Sequence, residues 1–321
     1  MLHRINKQIE KIMPLVTPAS VVLGVLLSAY IKDFSYLIPW IFAFMTFSGS
    51  LGSNFRSLKD AVLHPLPILI ALGLLHIIMP IWAWGIGHIV FNEDIFTITG
   101  IILGMAIPTG ITSLIWVSIY KGNIPFTLSL ILIDTLLSPI IVPFTISLMV
   151  GQKIEMDVPS IMTGLLGMIV LPSLAGMTIN QWTKGKVKEI WSPRLAPISK
   201  IGLAVVVMLN GAVVAPHLRV ISVKLIVIAI VVFVIAMSGY FLAFVLGRVF
   251  KQDQGTVIAL IFTGGMRNIS AGAVLAVSYF PPAVSVPVVV GMLFQQILAS
   301  LSGYLSDRYY HQRVSKQQLN M

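Results

Sequence analysis

Apolar runs about twenty residues long, separated by short polar stretches, recur along the whole chain, and that is the length a helix needs to cross the hydrocarbon core of a bilayer. Ten such segments fall near 13–31, 36–54, 66–91, 95–120, 124–149, 160–182, 201–216, 225–247, 255–280 and 281–305. The pattern predicts an all-α polytopic membrane protein with ten transmembrane helices. Connections are short except for TKGKVKEIWSPRLAPISK at 183–200, which reads as a cytoplasmic linker. Residues 1–182 then hold a first five-helix repeat plus the sixth span, 201–305 hold spans seven to ten, and 306–321 form a cytoplasmic tail. Counted by repeat, spans six to ten occupy about 160–305. An odd number of spans per half forces opposite orientations, so the halves are candidates for an inverted repeat.

Charge sets the orientation. One side collects Arg4, Lys7, Lys11, Arg56, Lys59, Lys121, the five basic residues of the linker, Arg248, Lys251, Arg308, Arg313 and Lys316. The other has Lys32, Lys153, Arg219 and Lys224. The first side is therefore expected to be cytoplasmic, with both termini on it, and the protein is expected in the plasma membrane, the cell inner membrane. Only 10% of the 321 residues are charged and 57% are hydrophobic, against about 25% charged in soluble domains. The formal charge of +10 is accounted for by topology signals and contact with anionic membrane lipid, without nucleic acid. The amino terminus reads as a polar helical lead without a signal-peptide cleavage site. Cysteine is absent, which excludes thiol chemistry and thiolate metal sites. No phosphate loop, zinc ligand set or nucleophile with its base is present in the sequence, so no cofactor, no metal and no enzymatic activity are expected.

The fourth spans of the two halves carry matching irregularities. GMAIPTGITSLIW at 104–116 contains Pro108 and Gly110, and IFTGGMRNISAGA at 261–273 contains Gly264 and Gly265. Proline ends or kinks a helix, and glycine tolerates dihedrals that helices exclude. Paired breaks at mid-depth in opposed halves point to a transporter binding site, where half-helix ends present backbone groups to a solute. Arg267 lies in the second break, inside an uncharged run. A charge there costs about 2.5–3.5 kcal/mol on insertion scales and calls for a partner or a cavity. Asp134, the acidic residue within the fifth span, is the expected partner, with a structural ion pair as the bland alternative. His76 is a candidate proton relay. Asn210 reads as an interhelical contact, and Trp82, Trp84 and Trp116 as anchoring and packing residues.

The order of PTGITS, YKGN, LLSP, LPSLAGM at 171–177 and GGMRN at 264–268 resembles the bile acid:sodium symporter family over nearly the whole chain. The resemblance implies that the first two spans of each half form a panel and the other three a core, in which broken spans four and nine cross. It implies transport of organic anions, often with sodium. Cysteine-dependent arsenite exporters, distant relatives, are disfavoured. The chain departs from the sodium-coupled pattern at Leu114 where an asparagine is usual, at Ile131 in place of a hydroxyl, at Thr263 in place of a glutamate, at Arg267 in place of a glutamine, and at Leu75 in place of another glutamine, with His76 beside it. Candidate substrate or ion contacts are Thr112, Ser113, Thr127, Asp134, Thr263, Gly264, Gly265, Met266, Arg267 and Asn268. The sequence thus predicts a sodium-independent secondary transporter of small organic anions, proton-coupled or exchanging, with the guanidinium gripping the solute in bidentate fashion. A sodium-coupled symporter and a non-transporting receptor on the same fold are the alternatives.

Overall fold

The computed structural model describes residues 2–53, 55, 65–151, 154 and 156–319, with side chains between 16 and 310. Arg56, Lys59 and Lys153 of the charge pattern lie outside the described residues, as do the side chains of Arg4, Lys7, Lys11, Arg313 and Lys316.

Short polar residues set where the helices begin. Helix α1 spans Leu2–Ile31 and passes through a 3-10 turn at Lys32–Leu37 into α2, Ile38–Ser50. Helices α3 (Pro65–Gly73) and α4 (Met79–Phe91) are joined through a π-helical turn at Leu74–Ile78. Asp94 caps α5, Ile95–Ala106, and after a gap α6 covers Ser113–Ile119. Asn123 caps α7, Ile124–Val150, and Asp157 caps α8, Val158–Leu165, which continues through a π-turn at Leu166–Val170 into α9, Leu171–Trp182. Then follow α10 (Lys186–Ile190), α11 (Ser192–Leu218), α12 (Val223–Val249, capped by Ser222), α13 (Gln254–Gly265, capped by Asp253), α14 (Ile269–Tyr279, capped by Asn268) and α15 (Pro282–Leu319). Each capping oxygen accepts an amide hydrogen that the first turn would otherwise leave bare.

Among the described residues seven helical stretches are long and apolar enough to cross a membrane, and α5, α13 and α14 are shorter apolar helices. The chain is an all-helical, multi-pass integral membrane protein. Within the polar stretch 183–200 the chain forms α10 and the first turns of α11, and the last helix runs past the apolar segment to Leu319. Polar residues at a helical period extend a helix past the apolar core, and hydropathy reads only the apolar part.

Both π-turns immediately precede a proline one residue into the next helix, Pro80 and Pro172. Proline has no N–H to donate and its ring crowds the preceding carbonyls; a wider turn relieves both. One group of helices packs α1 on α11, and α2 on α9 and α11. Gly24 and Gly211 permit the closest of these approaches: a methyl on Gly24 would overlap the Met208 carbonyl, and one on Gly211 would sit 2.8 Å from the Val21 oxygen. The other group sets α5 against α4 and α15, and α13 against α12. Its rim is tied by Lys224, whose ammonium lies 2.7 Å from Asp94. Partial burial works to raise the Asp94 carboxyl, but the hydrogen bonds from Lys224 and Thr97 outweigh it and hold the group below its ordinary value.

The glycine contacts generate a direct test. Gly24→Ala should lower the thermal midpoint by the equivalent of about 1–3 kcal/mol through overpacking. Gly85→Ala, where an added methyl meets nothing within 4 Å, should be neutral or slightly stabilising. Equal effects in thermal unfolding of the purified variants would contradict the α1–α11 seam.

Candidate functional site

The site begins where two helices stop. Ile107 precedes Pro108 and is extended at φ −60°, ψ 143°, which ends α5 at Ala106; a residue before proline is pushed out of the helical region. Met266 is extended at φ −95°, ψ 132° and ends α13 at Gly265. The two extended stretches meet as a single antiparallel bridge between Thr109 and Arg267, and the Asn268 amide donates to the Pro108 carbonyl at 2.8 Å. Thr109 is the rivet. Its hydroxyl lies 2.9 Å from the Thr263 carbonyl and 3.1 Å from that of Met266. A β-carbon on Gly110 would stand 3.0 Å from the Arg267 carbonyl oxygen, so glycine lets the crossing backbone in.

Gly264 and Gly265 turn out to have a different purpose from the one the sequence suggests. Both lie within α13, and neither has the positive φ that favours glycine. A methyl on Gly264 would lie 2.7 Å from Leu74 and 2.8 Å from Ala243, and one on Gly265 would enter the ring of Tyr240. The requirement is space.

Arg267 is 2% exposed. Its Nε donates to the Met105 carbonyl at 3.1 Å and its Nη1 to the Gly264 carbonyl at 3.2 Å. These carbonyls belong to the last turns of α5 and α13, where the helix leaves its acceptors unpaired and the macrodipole is negative. The guanidinium therefore neutralises two converging helix carboxyl-termini. Nη2 is buried and has no hydrogen-bond partner.

The expected pairing of Arg267 with Asp134 is corrected by this geometry. Among the described residues Arg267 makes no ion pair, and Asp134 acts on it only through the field. Asp134, fully buried, instead shares a 2.6 Å hydrogen bond with His76 Nε2 and accepts from the Thr109 amide at 2.6 Å. His76 sits in the π-turn, and its Nδ1 is buried without a partner. Two of the five guanidinium hydrogens are thus directed at helix-end carbonyls.

A cleft of about 220 Å³ opens beside the crossing. Of the predicted contacts it is lined by Gly110, Thr112, Arg267 and Asn268; Pro108, Ser113, Thr127, Asp134, Thr263, Gly264, Gly265, Met266 and His76 are not in its lining. Thr127 and Thr263 turn their hydroxyls onto carbonyls of their own helices, at 2.8 Å each. Ser113 is buried with an unpartnered hydroxyl, and Met266 contributes its carbonyl to Thr109. Asn268 uses its side-chain oxygen to cap α14. The remaining polar lining, Thr46, Ser50, Thr135, Ser173, Gln295 and Gln296 among others, comes from helices far apart in sequence. Ile111, Thr112, Ile269 and Ser270 line the cleft too, and among the described residues their backbone N–H groups have no hydrogen-bond partner. Small hydroxyls on apolar helices gave no sequence signal.

Residues 39–218 match the model of the sodium bile acid symporter family, and that segment covers α2 through α11 with the first break. The chain belongs to this family. It is 53% identical to the uncharacterized protein YbaS of Bacillus subtilis over 92% of this chain and 97% of that one. The uncharacterized sodium-dependent transporter YocS of the same organism is 26% identical over 89% of this chain and 88% of its own. The probable chloroplastic sodium/metabolite cotransporter BASS1 of rice is 26% identical, over 76% of this chain and 59% of that protein. As a member of the symporter family the chain is a membrane transporter and not an enzyme.

Two outcomes check this geometry. In thermal unfolding, His76→Ala and Asp134→Ala should be non-additive by about 1 kcal/mol or more, exceeding the coupling in the Asp134–Arg267 cycle; the reverse order would restore the ion pair. Gly265→Ala should destabilise the protein by about 1–3 kcal/mol, whereas a normal melt with lost transport would mean that backbone freedom is what the position needs.

Proposed function

We propose that the chain is a secondary active transporter of small organic anions that works without sodium. The observation that carries this reading is the Arg267 guanidinium bonded to the Met105 and Gly264 carbonyls. A hard cation needs a cage of several oxygens. Here two helix-end carbonyls at the crossing already serve a charge that cannot leave, and that charge repels any mobile cation brought close. Leu114 and Ile131 add no oxygen. The names of YocS and BASS1 speak for sodium in those proteins; against its transfer to this chain stands Arg267.

The reading takes the architecture as ten spans in two inverted five-helix repeats, with α1, α2, α9 and α11 in the panel and the crossing in the core. Both termini face the cytoplasm. The solute occupies the cleft, where the free amides of Ile111, Thr112, Ile269 and Ser270 and the amino-terminal end of α14 favour a carboxylate or sulfonate. With sodium absent, the proton is the coupling ion. The His76–Asp134 pair holds an exchangeable proton and reaches the crossing through the Thr109 amide.

Uptake by proteoliposomes tests this. Replacing sodium by potassium should leave the rate unchanged, lowering external pH should raise it, and Asp134→Asn should remove the pH dependence while leaving anion exchange. A rate that vanishes without sodium would establish the sodium-coupled alternative. Binding without counterflow would establish a receptor.

A further inference from the structure

Two consecutive glutamines on α15 reach the cleft, and each has one end fixed. Gln295 Oε1 accepts from the Arg267 backbone amide at 3.2 Å, within the second break. Gln296 Oε1 accepts from the indole Nε1 of Trp116 at 3.2 Å, on the helix that follows the first break. Trp116 is itself held by stacking on Phe262 and Tyr120, with ring centroids 6.0 and 6.4 Å away. The backbone at Gln295 is further anchored by the Tyr240 hydroxyl, which donates to its carbonyl at 3.4 Å.

A carboxamide is usually ambiguous, because its oxygen and nitrogen can be exchanged to suit the neighbours. Here they cannot. A backbone N–H and an indole N–H donate and never accept, so each glutamine must turn its oxygen to them and its NH2 away. Both side chains line the cleft, and neither NH2 group has a protein partner or is buried among the described residues. The hydroxyls of Ser50 and Ser173, which also line the cleft, rotate to donate or accept and so do not choose the sign of a ligand. The two carboxamides do choose it.

We infer that Gln295 and Gln296 are specificity-determining contacts, a pair of fixed hydrogen-bond donors that select an acceptor-rich, anionic head group and reject ammonium solutes. The assignment rests on the reading of the cleft as an organic-anion site and names the residues that enforce it. It also ties the solute to both breaks, since each donor is hinged on one of them.

The test is ligand-induced thermal stabilisation of the purified full chain with pyruvate, glutarate and ethanesulfonate as anionic probes and putrescine as a cationic one. Gln295→Glu and Gln296→Glu keep the oxygen that accepts from Arg267 or Trp116 and replace the donor by a negative acceptor. Each should weaken the anion that stabilises the wild type roughly tenfold or more, with the unliganded melt preserved. Gln295→Met and Gln296→Met, which keep volume and remove donor and acceptor alike, should weaken it too and serve where the glutamates do not fold. Unchanged anion affinity in the folded variants would overturn the donor pair while leaving the anion reading in place. Stabilisation of the wild type by putrescine and by none of the anions would overturn both.

Discussion

Everything at the centre of this protein follows from bringing two helix carboxyl-termini together inside an apolar slab. The last turns of α5 and α13 leave carbonyls without intrahelical partners, and in lipid no water is at hand to satisfy them. Arg267 resolves the problem with a side chain of the chain itself, donating to Met105 and Gly264. The extended stretches can then pair through Thr109, Pro108 and Asn268, and that pairing places the amino-terminal end of α14 at the cleft. On the proposed reading, a captive guanidinium takes the place that a mobile sodium ion would otherwise fill.

Much of this was legible in the sequence. The apolar runs mark the helices, and Pro108 marks the first break. An arginine in an uncharged run announces a buried demand for charge. What it does with its donors was not legible, because backbone carbonyls carry no residue identity and any sequence reading looks first for an acidic partner. Asp134 found His76 instead, through a π-turn whose extra residue shifts the register of the side chains that follow. Leu75 is buried in the core, and its neighbour His76 reaches Asp134 beside the crossing.

The glycines teach a related lesson. Sequence reasoning assigns Gly264 and Gly265 to backbone freedom, but the ring of Tyr240 and the side chains of Leu74 and Ala243 occupy the volume a methyl would take. Close approach between helices is a tertiary fact, and so is the cleft, whose walls come from α1, α2, α7, α9, α11 and α15 as well as the two breaks. Hydroxyls such as Ser50 and Ser173 become a polar surface only when those helices face one another.

The central claim is that Arg267 holds the position a transported cation would need. Equilibrium binding of radioactive sodium to the purified wild type and to Arg267→Gln measures this without reference to any solute. The account predicts no saturable sodium binding by the wild type at millimolar concentrations. Saturable, stoichiometric binding by the wild type, with the guanidinium in place, would contradict it.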